Sequence, residues 1–369
     1  MTPMTASLSR PQAVADLEHQ WRALEDQNDC SFFQSWAWAS ALIDIVGDEI
    51  WIVQVKSGDR LTGLGVLCPI METRHRIMKV RQLRLNEIGR HTDDLVQPEF
   101  NTLLAAPADM NEAYQALFER LEADDAPQWD ELIFSNTVDQ LDQSLPKIGW
   151  RIHRRTQAGS GFVDLGVLRD QGVSDGASYI QTLGKNTKSQ IKRSIRLYEE
   201  IGPLKLERAR SVDQAQEFFY ALSVLHTDKW NQRGGRGLLD GPTQMAFQNK
   251  LIERSLDAGH VEVLKVSAGD TAIAYLHNFL YRGAVLFNVA GFTESKDNKL
   301  KPGLVAHMMA IEVHLQSGAD RYDFLAGDDR YKQNLGQAGP EFVGFAVQRD
   351  AVHLRIEHAF RMLKHRLGR

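Results

Sequence analysis

Two stretches of the chain carry the same order of elements, and that order constrains the fold more than any other feature. In the first half, the β-type run Trp51-Ile52-Val53-Gln54-Val55 meets a second run, Leu61 to Leu67, across Ser57-Gly58-Asp59. Gly-Asp between two such runs predicts a hairpin. A strand near Met78 to Leu85 follows, then an amphipathic helix from Asn111 to Ala123 with Tyr114, Leu117, Phe118 and Leu121 on one stripe, then a strand Glu131 to Phe134. The second half repeats this order. It has strand-like runs Val261 to Val266, Ala272 to Leu280 and Ala284 to Ala290, joined by turns at Ala268-Gly269-Asp270 and Arg282-Gly283. A polar loop, Phe292 to Lys301, leads to a helix opening at Pro302 and running to about Gln316, and to the strand Tyr322 to Leu325. Trp129 to Ser135 thus stands where Arg321 to Gly327 stands. A duplicated unit of this kind predicts an α/β (α+β) chain of two similar domains, each with a mainly antiparallel sheet and flanking helices.

A length of 369 residues, with 43% hydrophobic and 25% charged, agrees with two ordinary globular domains. The glycine-rich stretch Gly159 to Gly176, broken only by Phe162 to Leu168, marks the expected boundary, giving domains over 1–165 and 166–369. A strand Phe342 to Gln348 and a basic amphipathic helix Leu354 to Leu367 are expected to close the second domain. The chain has no run near the roughly 20 apolar residues a membrane span needs, and Met1 to Gln12 lacks the order of a signal peptide, so a cytoplasmic protein with no transmembrane segment is expected. The net charge of −5 gives no bulk attraction to DNA or to an anionic membrane. An anionic ligand must therefore be held by a local cluster. Cys30 and Cys68 form no C-x-x-C pair and are expected to be reduced thiols, with no metal site.

Four segments concentrate chemistry. From Lys185 to Arg196 the chain carries Lys185, Lys188, Lys192, Arg193 and Arg196 and no acid, while Ile191, Ile195 and Tyr198 form the opposite stripe of a helix. A solvated face usually mixes signs, so this one is a candidate seat for a phosphate-bearing ligand. The second segment, Leu225 to Gly237, ends a helix in a glycine-rich basic loop. Trp230 is placed there to wall a ligand, and Arg233 and Arg236 to reach anions; a helix C-cap explains the same glycines and cations. His226 is a candidate base by its ordinary pKa, or a packed, hydrogen-bonded histidine. Third, Lys301-Pro302-Gly303 opens a helix whose free N–H groups can seat a phosphate. Fourth, the strand Tyr322 to Leu325 delivers Asp323, the chain turns at Gly327, and Asp328, Tyr331 and Lys332 crowd into the loop after it.

Together, the basic helix, Leu-His-x-x-Lys-Trp-x-x-Arg-Gly, Lys-Pro-Gly and Tyr-Asp-Phe-Leu-x-Gly-Asp-x-x-Tyr-Lys resemble the GNAT-related acyltransferases of the CelD-like group, relatives of the FemAB and FemX peptidoglycan aminoacyltransferases. The resemblance covers Ser178 to Gly336, and the first half only by element order. It implies tandem GNAT domains, with a ligand channel where the strand ending near Ala290 and the strand Tyr322 to Leu325 splay apart. It implies Lys301 and Gly303 at the phosphate end of the donor and Lys332, in the matching Tyr331-Lys332 pair, facing anionic charge; the cationic helix with Lys188, Lys192, Arg193 and Arg196 would suit the phosphates of CoA or of tRNA, and Trp230, Arg233 and Tyr331 are the candidates against substrate. The family's pyrophosphate loop, Arg/Gln-x-x-Gly-x-Gly/Ala, is not kept, since Leu300 and Val305 stand at the outer positions. That departure counts against simple acetyl-CoA binding.

The resemblance implies transfer of an acyl group to an amine. Asp323 or Asp328 is the candidate proton acceptor, with His226 and Lys332 as further catalytic candidates. The donor is expected to be an acyl-CoA or an acyl-carrier-protein thioester, with no permanently bound cofactor. The acceptor is expected to be an amino sugar, amino acid or peptide linked to envelope polysaccharide. The alternatives are a FemX-like aminoacyl-tRNA-dependent transferase and a binding module of the same fold without catalysis. No long heptad arm is visible, which favours the thioester donor.

Overall fold

The computed structural model describes residues 3–89, 94–138, 150–295, 297–327 and 329–366, with 360–366 as backbone alone; Asp328 lies outside the described residues. In chain order the strands are β1 (Met4–Ser9), β2 (Trp51–Ser57), β3 (Arg60–Arg74), β4 (Met78–Leu85), the short β5 (Ile88–Gly89), β6 (Leu95–Val96) and β7 (Leu104–Ala105), β8 (Glu131–Thr137) and β9 (Arg151–Ala158). They continue as β10 (Ser160–Asp164), β11 (Leu204–Arg208), β12 (Val261–Ala268), β13 (Thr271–Tyr281), β14 (Ala284–Phe292), β15 (Arg321–Ala326), β16 (Gln337–Ala338) and β17 (Phe342–Gln348).

The chain divides into two compact units, Met1–Gln157 with Phe342–Arg369, and Ala158–Glu341. In the first, the sheet order is β1-β2-β3-β4-β8-β17-β9; in the second it is β11-β12-β13-β14-β15-β10-β16. The duplication read from the sequence is present in this topology. The β2–β3 and β12–β13 hairpins turn at Gly58 (φ +60) and Gly269 (φ +57), left-handed positions that a side chain would strain. In each unit the third hairpin strand pairs in parallel with the strand after the long helix, β4 with β8 and β14 with β15. A parallel pair needs a crossover, which helices Met110–Glu122 and Pro302–Gln316 supply.

Helix Met110–Glu122 buries Tyr114, Leu117, Phe118 and Leu121 against Val53, Leu83, Leu132 and Phe134. Each such side chain contributes about 1.5–3 kcal/mol by leaving water. Leu117→Ala, at a fully buried position, would cost about 2–5 kcal/mol. Helix Pro302–Gln316 buries Val305, Met308, Ile311 and Leu315 in the core of the second unit, with Tyr179 and Ile191 from neighbouring helices in the same cluster.

The units divide the chain differently from the 1–165 and 166–369 expected. The final strand, β17, pairs antiparallel with β8 in the first unit, and β10 pairs with β15 in the second. The reason is edge protection: each parallel strand needs an antiparallel neighbour on its free side, and a strand distant in sequence fills that place. Helices Val14–Gln27, Trp36–Val46 and Pro242–Ser255 were not among the expected elements. Leu17, Trp21 and Leu24, at helical spacing and buried, are the signal that would have found the first. Among the described residues, no helix is long and apolar enough to cross a membrane.

Candidate active site in the second unit

β14 and β15 pair only at Ala284 with Arg321, Val285 with Tyr322 and Leu286 with Asp323. Beyond that point each strand keeps its other neighbour, β14 pairing with β13 as far as Phe292 and β15 with β10 as far as Ala326. The carboxyl ends of two adjacent strands are therefore unpaired to each other, which opens the sheet. A register shift between His277 and Asn278 leaves Asn288 as an extra residue on β14, and a bulge of this kind bends and twists the strand that carries it.

His307, on helix Pro302–Gln316, lies against this opening. Its ring meets Phe287 of β14 at 4.6 Å and Phe324 of β15 at 5.3 Å, both edge-on, and stacks on Tyr331 at 5.2 Å. His307 Nδ1 is 3.1 Å from the Tyr322 hydroxyl, while Nε2 is buried with no hydrogen-bond partner. Burial, and then the charge of Lys332, push its pKa down to about 3, so the imidazole is neutral. Burial, and then Asp329, raise the pKa of Tyr331, so its hydroxyl keeps its proton. Aromatic rings thus pack together beside the splayed strand ends, with few polar groups among them.

The polar end lies where helix Pro302–Gln316 begins. That helix has no side-chain cap, and the backbone N–H of Lys301 donates to Ser194 Oγ at 2.9 Å. This bond ties the helix start to helix Lys185–Glu199, whose Ile191, Ser194 and Tyr198 are buried. Lys192, Arg193 and Arg196 are exposed on the opposite stripe. Lys188 instead donates to the Gln181 carbonyl at 2.8 Å. Phe292, at the end of β14, approaches Gly303 so closely that a Cβ there would lie 3.3 Å from its ring. Lys229 Nζ stands 5.6 Å from the centre of the same ring. Burial and then Arg233 lower its pKa.

Residues 185–333 match the family model described as an acetyltransferase (GNAT) domain. The second unit carries a GNAT domain. The fold of the whole chain is that of tandem GNAT proteins. It aligns with FemX (10% identity, TM-score 0.55, covering 91% of this chain and 96% of that one). It aligns with the C-terminal domain of a putative lysylphosphatidylglycerol synthetase from Agrobacterium fabrum (11%, TM-score 0.54, 96% of each chain). It also aligns with a tandem GNAT protein of the clavulanic acid biosynthesis pathway (10%, TM-score 0.51, 93% and 98%). At these identities the likeness is one of fold. No curated protein sequence matches the chain.

Within the GNAT domain the expected phosphate-end residues Lys192, Arg193, Arg196, Lys301 and Gly303 fall on two elements joined by the Ser194–Lys301 bond. Trp230, 37% exposed, lies beside His226 with ring centres 6.2 Å apart, and Arg233 caps the same helix. His226 does not fit the role of base. Its Nδ1 is 3.2 Å from the Ala290 carbonyl and its Nε2 accepts from the Leu238 N–H at 3.2 Å, so the ring straps helix Val212–Gln232 to the end of β14 with no lone pair to spare. Asp323 is 2% exposed, accepts from the Leu325 N–H at 2.8 Å and is 2.9 Å from Arg321 Nε. Strand alternation sets it on the face of β15 opposite Tyr322 and Phe324, away from His307. Burial raises its pKa, and Arg321 works against that rise. Lys332, expected to face anionic charge, is buried and donates to the Leu325 and Ala326 carbonyls. The sequence reading passed over Ser194, His307 and Tyr322. A hydroxyl inside the apolar stripe of helix Lys185–Glu199 was the available sign for Ser194.

Proposed function

We propose that the second unit is an N-acyltransferase, moving an acyl group from a CoA or acyl-carrier thioester to the amine of an amino sugar, amino acid or peptide. The observation that carries this reading is the hydrogen bond from Lys301 N–H to Ser194 Oγ. It sets the uncapped, positive start of one helix beside the exposed cations of another, at the end of an opening between β14 and β15 beside which aromatic rings pack. A phosphate-bearing donor with an apolar arm fits that order: phosphates at Lys192, Arg193 and Lys301, and the arm along Phe292, Phe287 and Tyr331.

In the transfer, the neutral amine attacks the thioester carbonyl, a C–N bond forms, the C–S bond breaks, and the proton given up by the amine passes to the departing sulfur, leaving an amide and a thiol. Tyr331, whose hydroxyl keeps its proton at rest, is the group we assign to relay that proton, giving its own to the sulfur and taking the amine's in the same step. His307, neutral and buried among these rings, supports Tyr331 by stacking on it. Asp328, the other acid weighed as proton acceptor, lies outside the described residues and stays a candidate. A CoA or carrier thioester as donor goes with a cytoplasmic protein acting in polysaccharide assembly.

Replacing Lys192 and Arg193 by Gln tests the reading. Each lost charge-assisted contact is worth about 1.5–3 kcal/mol, so acyl-CoA should bind more than tenfold more weakly by calorimetry, with a flatter salt dependence. An aminoacyl-tRNA donor would instead show tRNA binding with a much steeper fall of log affinity on log salt. Equal acyl-CoA affinity and salt dependence in wild type and variant would refute the assignment.

A further inference from the structure

The first unit turns one face of its sheet toward helix Met110–Glu122 and carries buried charge on the other. Glu131 of β8, fully buried, accepts from Arg74 of β3 at 2.8 and 2.6 Å, from Gln82 of β4 at 2.8 Å and from Gln348 of β17 at 2.6 Å. Arg84, 1% exposed, is 3.2 Å from Glu87 and donates to Gln82 Oε1 at 2.9 and 2.8 Å. Removing such ions from water costs several kcal/mol each even after relaxation, and an apolar sheet face of the same shape would be as stable or more so. Stability alone therefore does not account for this network. It occupies the parallel pair β4–β8, the counterpart of the opening in the second unit.

Two adjoining cavities sit over the network, of about 180 and 290 Å³, and His153 and Gln348 line both. Into the smaller one comes Arg155 of β9, beside Arg74 and Glu131. Every other guanidinium in this network is paired; that of Arg155 has no hydrogen bond or ion pair among the described residues. The protein around it, and then the positive charge of Arg84, disfavour its cationic form, Glu131 and Glu72 oppose that, and the residue itself is exposed. Glu131 and Glu72 line the same cavity and their charges favour the Arg155 cation, but Glu131 is taken up by four hydrogen bonds and Glu72 by Arg74 and Gln82, so neither is bonded to Arg155. A guanidinium at the edge of a cavity with no carboxylate hydrogen-bonded to it is suited to an anion from outside, because its fork of donors matches a carboxylate or a phosphate.

We propose that the first unit holds a second ligand site in these cavities, which takes a small molecule bearing a carboxylate or a phosphate, anchored on Arg155. The buried network beneath it fixes the floor, since Glu131 is oriented by hydrogen bonds from β3, β4 and β17. This site is separate from the donor site assigned to the second unit and does not depend on it.

The test uses the full chain, titrated with inorganic phosphate and, separately, with succinate at constant ionic strength, and followed by thermal unfolding and calorimetry. One of the two anions should raise the Tm saturably, and the responding anion tells phosphate from carboxylate recognition. Arg155→Gln should leave the unliganded Tm in place and weaken that anion at least tenfold, Arg155→Lys should keep part of the binding, and the Lys192, Arg193 double variant should bind it as wild type does. The proposal is overturned if neither anion gives a saturable shift, if Arg155→Gln responds like wild type, or if that variant alone unfolds the unliganded protein.

Discussion

Asp323 and Lys332 hold one residue between them: Asp323 Oδ1 accepts from the Leu325 N–H at 2.8 Å, and Lys332 Nζ donates to the Leu325 carbonyl at 3.3 Å. Leu325 has φ +59, a left-handed conformation costing roughly 1–2 kcal/mol for a residue with a Cβ. Lys332 also donates to the Ala326 carbonyl at 2.5 Å. The two side chains thus stabilise the kink that ends β15 at the rim of the opening.

Lys332→Ala is therefore expected to lower stability and turnover together. Losing a charged donor and leaving buried carbonyls unsatisfied costs about 1–3 kcal/mol, or several degrees of Tm. Thermal unfolding and steady-state rates measured on one preparation decide this. A large loss of turnover at unchanged Tm would instead give the lysine a direct role with substrate.

The pH dependence of stability has a defined sign. Burial pushes the pKa of both His307 and His277 down to about 3, below the ordinary value of 6.5. The unfolded chain then binds more protons than the folded one, so stability is lost as pH falls below about 6.5, by up to about 1.4 kcal/mol per pH unit for each histidine. Urea unfolding between pH 6.5 and 5 should show this slope, and His307→Phe should remove about one proton's share of it. A variant with an unchanged slope would mean that His307 titrates normally.

His226→Ala is expected to cost about 1–3 kcal/mol of stability and to leave the shape of the pH–rate profile as it is, because both ring nitrogens already serve as hydrogen-bonding partners within the protein. Loss of one limb of that profile would restore His226 as a base.

Residues 158–341 should fold cooperatively when expressed alone, whereas 1–157 should not, because β17 lies between β8 and β9 in the first unit's sheet. Joining 342–369 to residue 157 through a flexible linker should restore folding of that unit. Circular dichroism melts of the three polypeptides check this, and a cooperative melt of 1–157 by itself would show β17 to be dispensable.

Local pattern determined a great deal. The β2–β3 and β12–β13 hairpins, the helices after them, the helix start at Pro302, the bounds Phe342–Gln348 and the cationic stripe of helix Lys185–Glu199 all follow from periodicity and turn chemistry acting over a few residues. What tertiary structure alone decided is what meets across long separations. Ser194 and Lys301 are 107 residues apart and join the two halves of the candidate phosphate seat. β17 leaves the unit it follows in sequence, since a strand's pattern states that it will be half-buried but not beside which edge. Asp323 and His307 look alike in sequence, as polar residues near a strand end and a helix start. Strand alternation turns the carboxylate toward Arg321, while the opening of β14 from β15 surrounds the imidazole with aromatic rings. Hydrophobic period is a property of neighbours along the chain, whereas sheet order, and with it the opening between strands, depends on which distant edges must be covered.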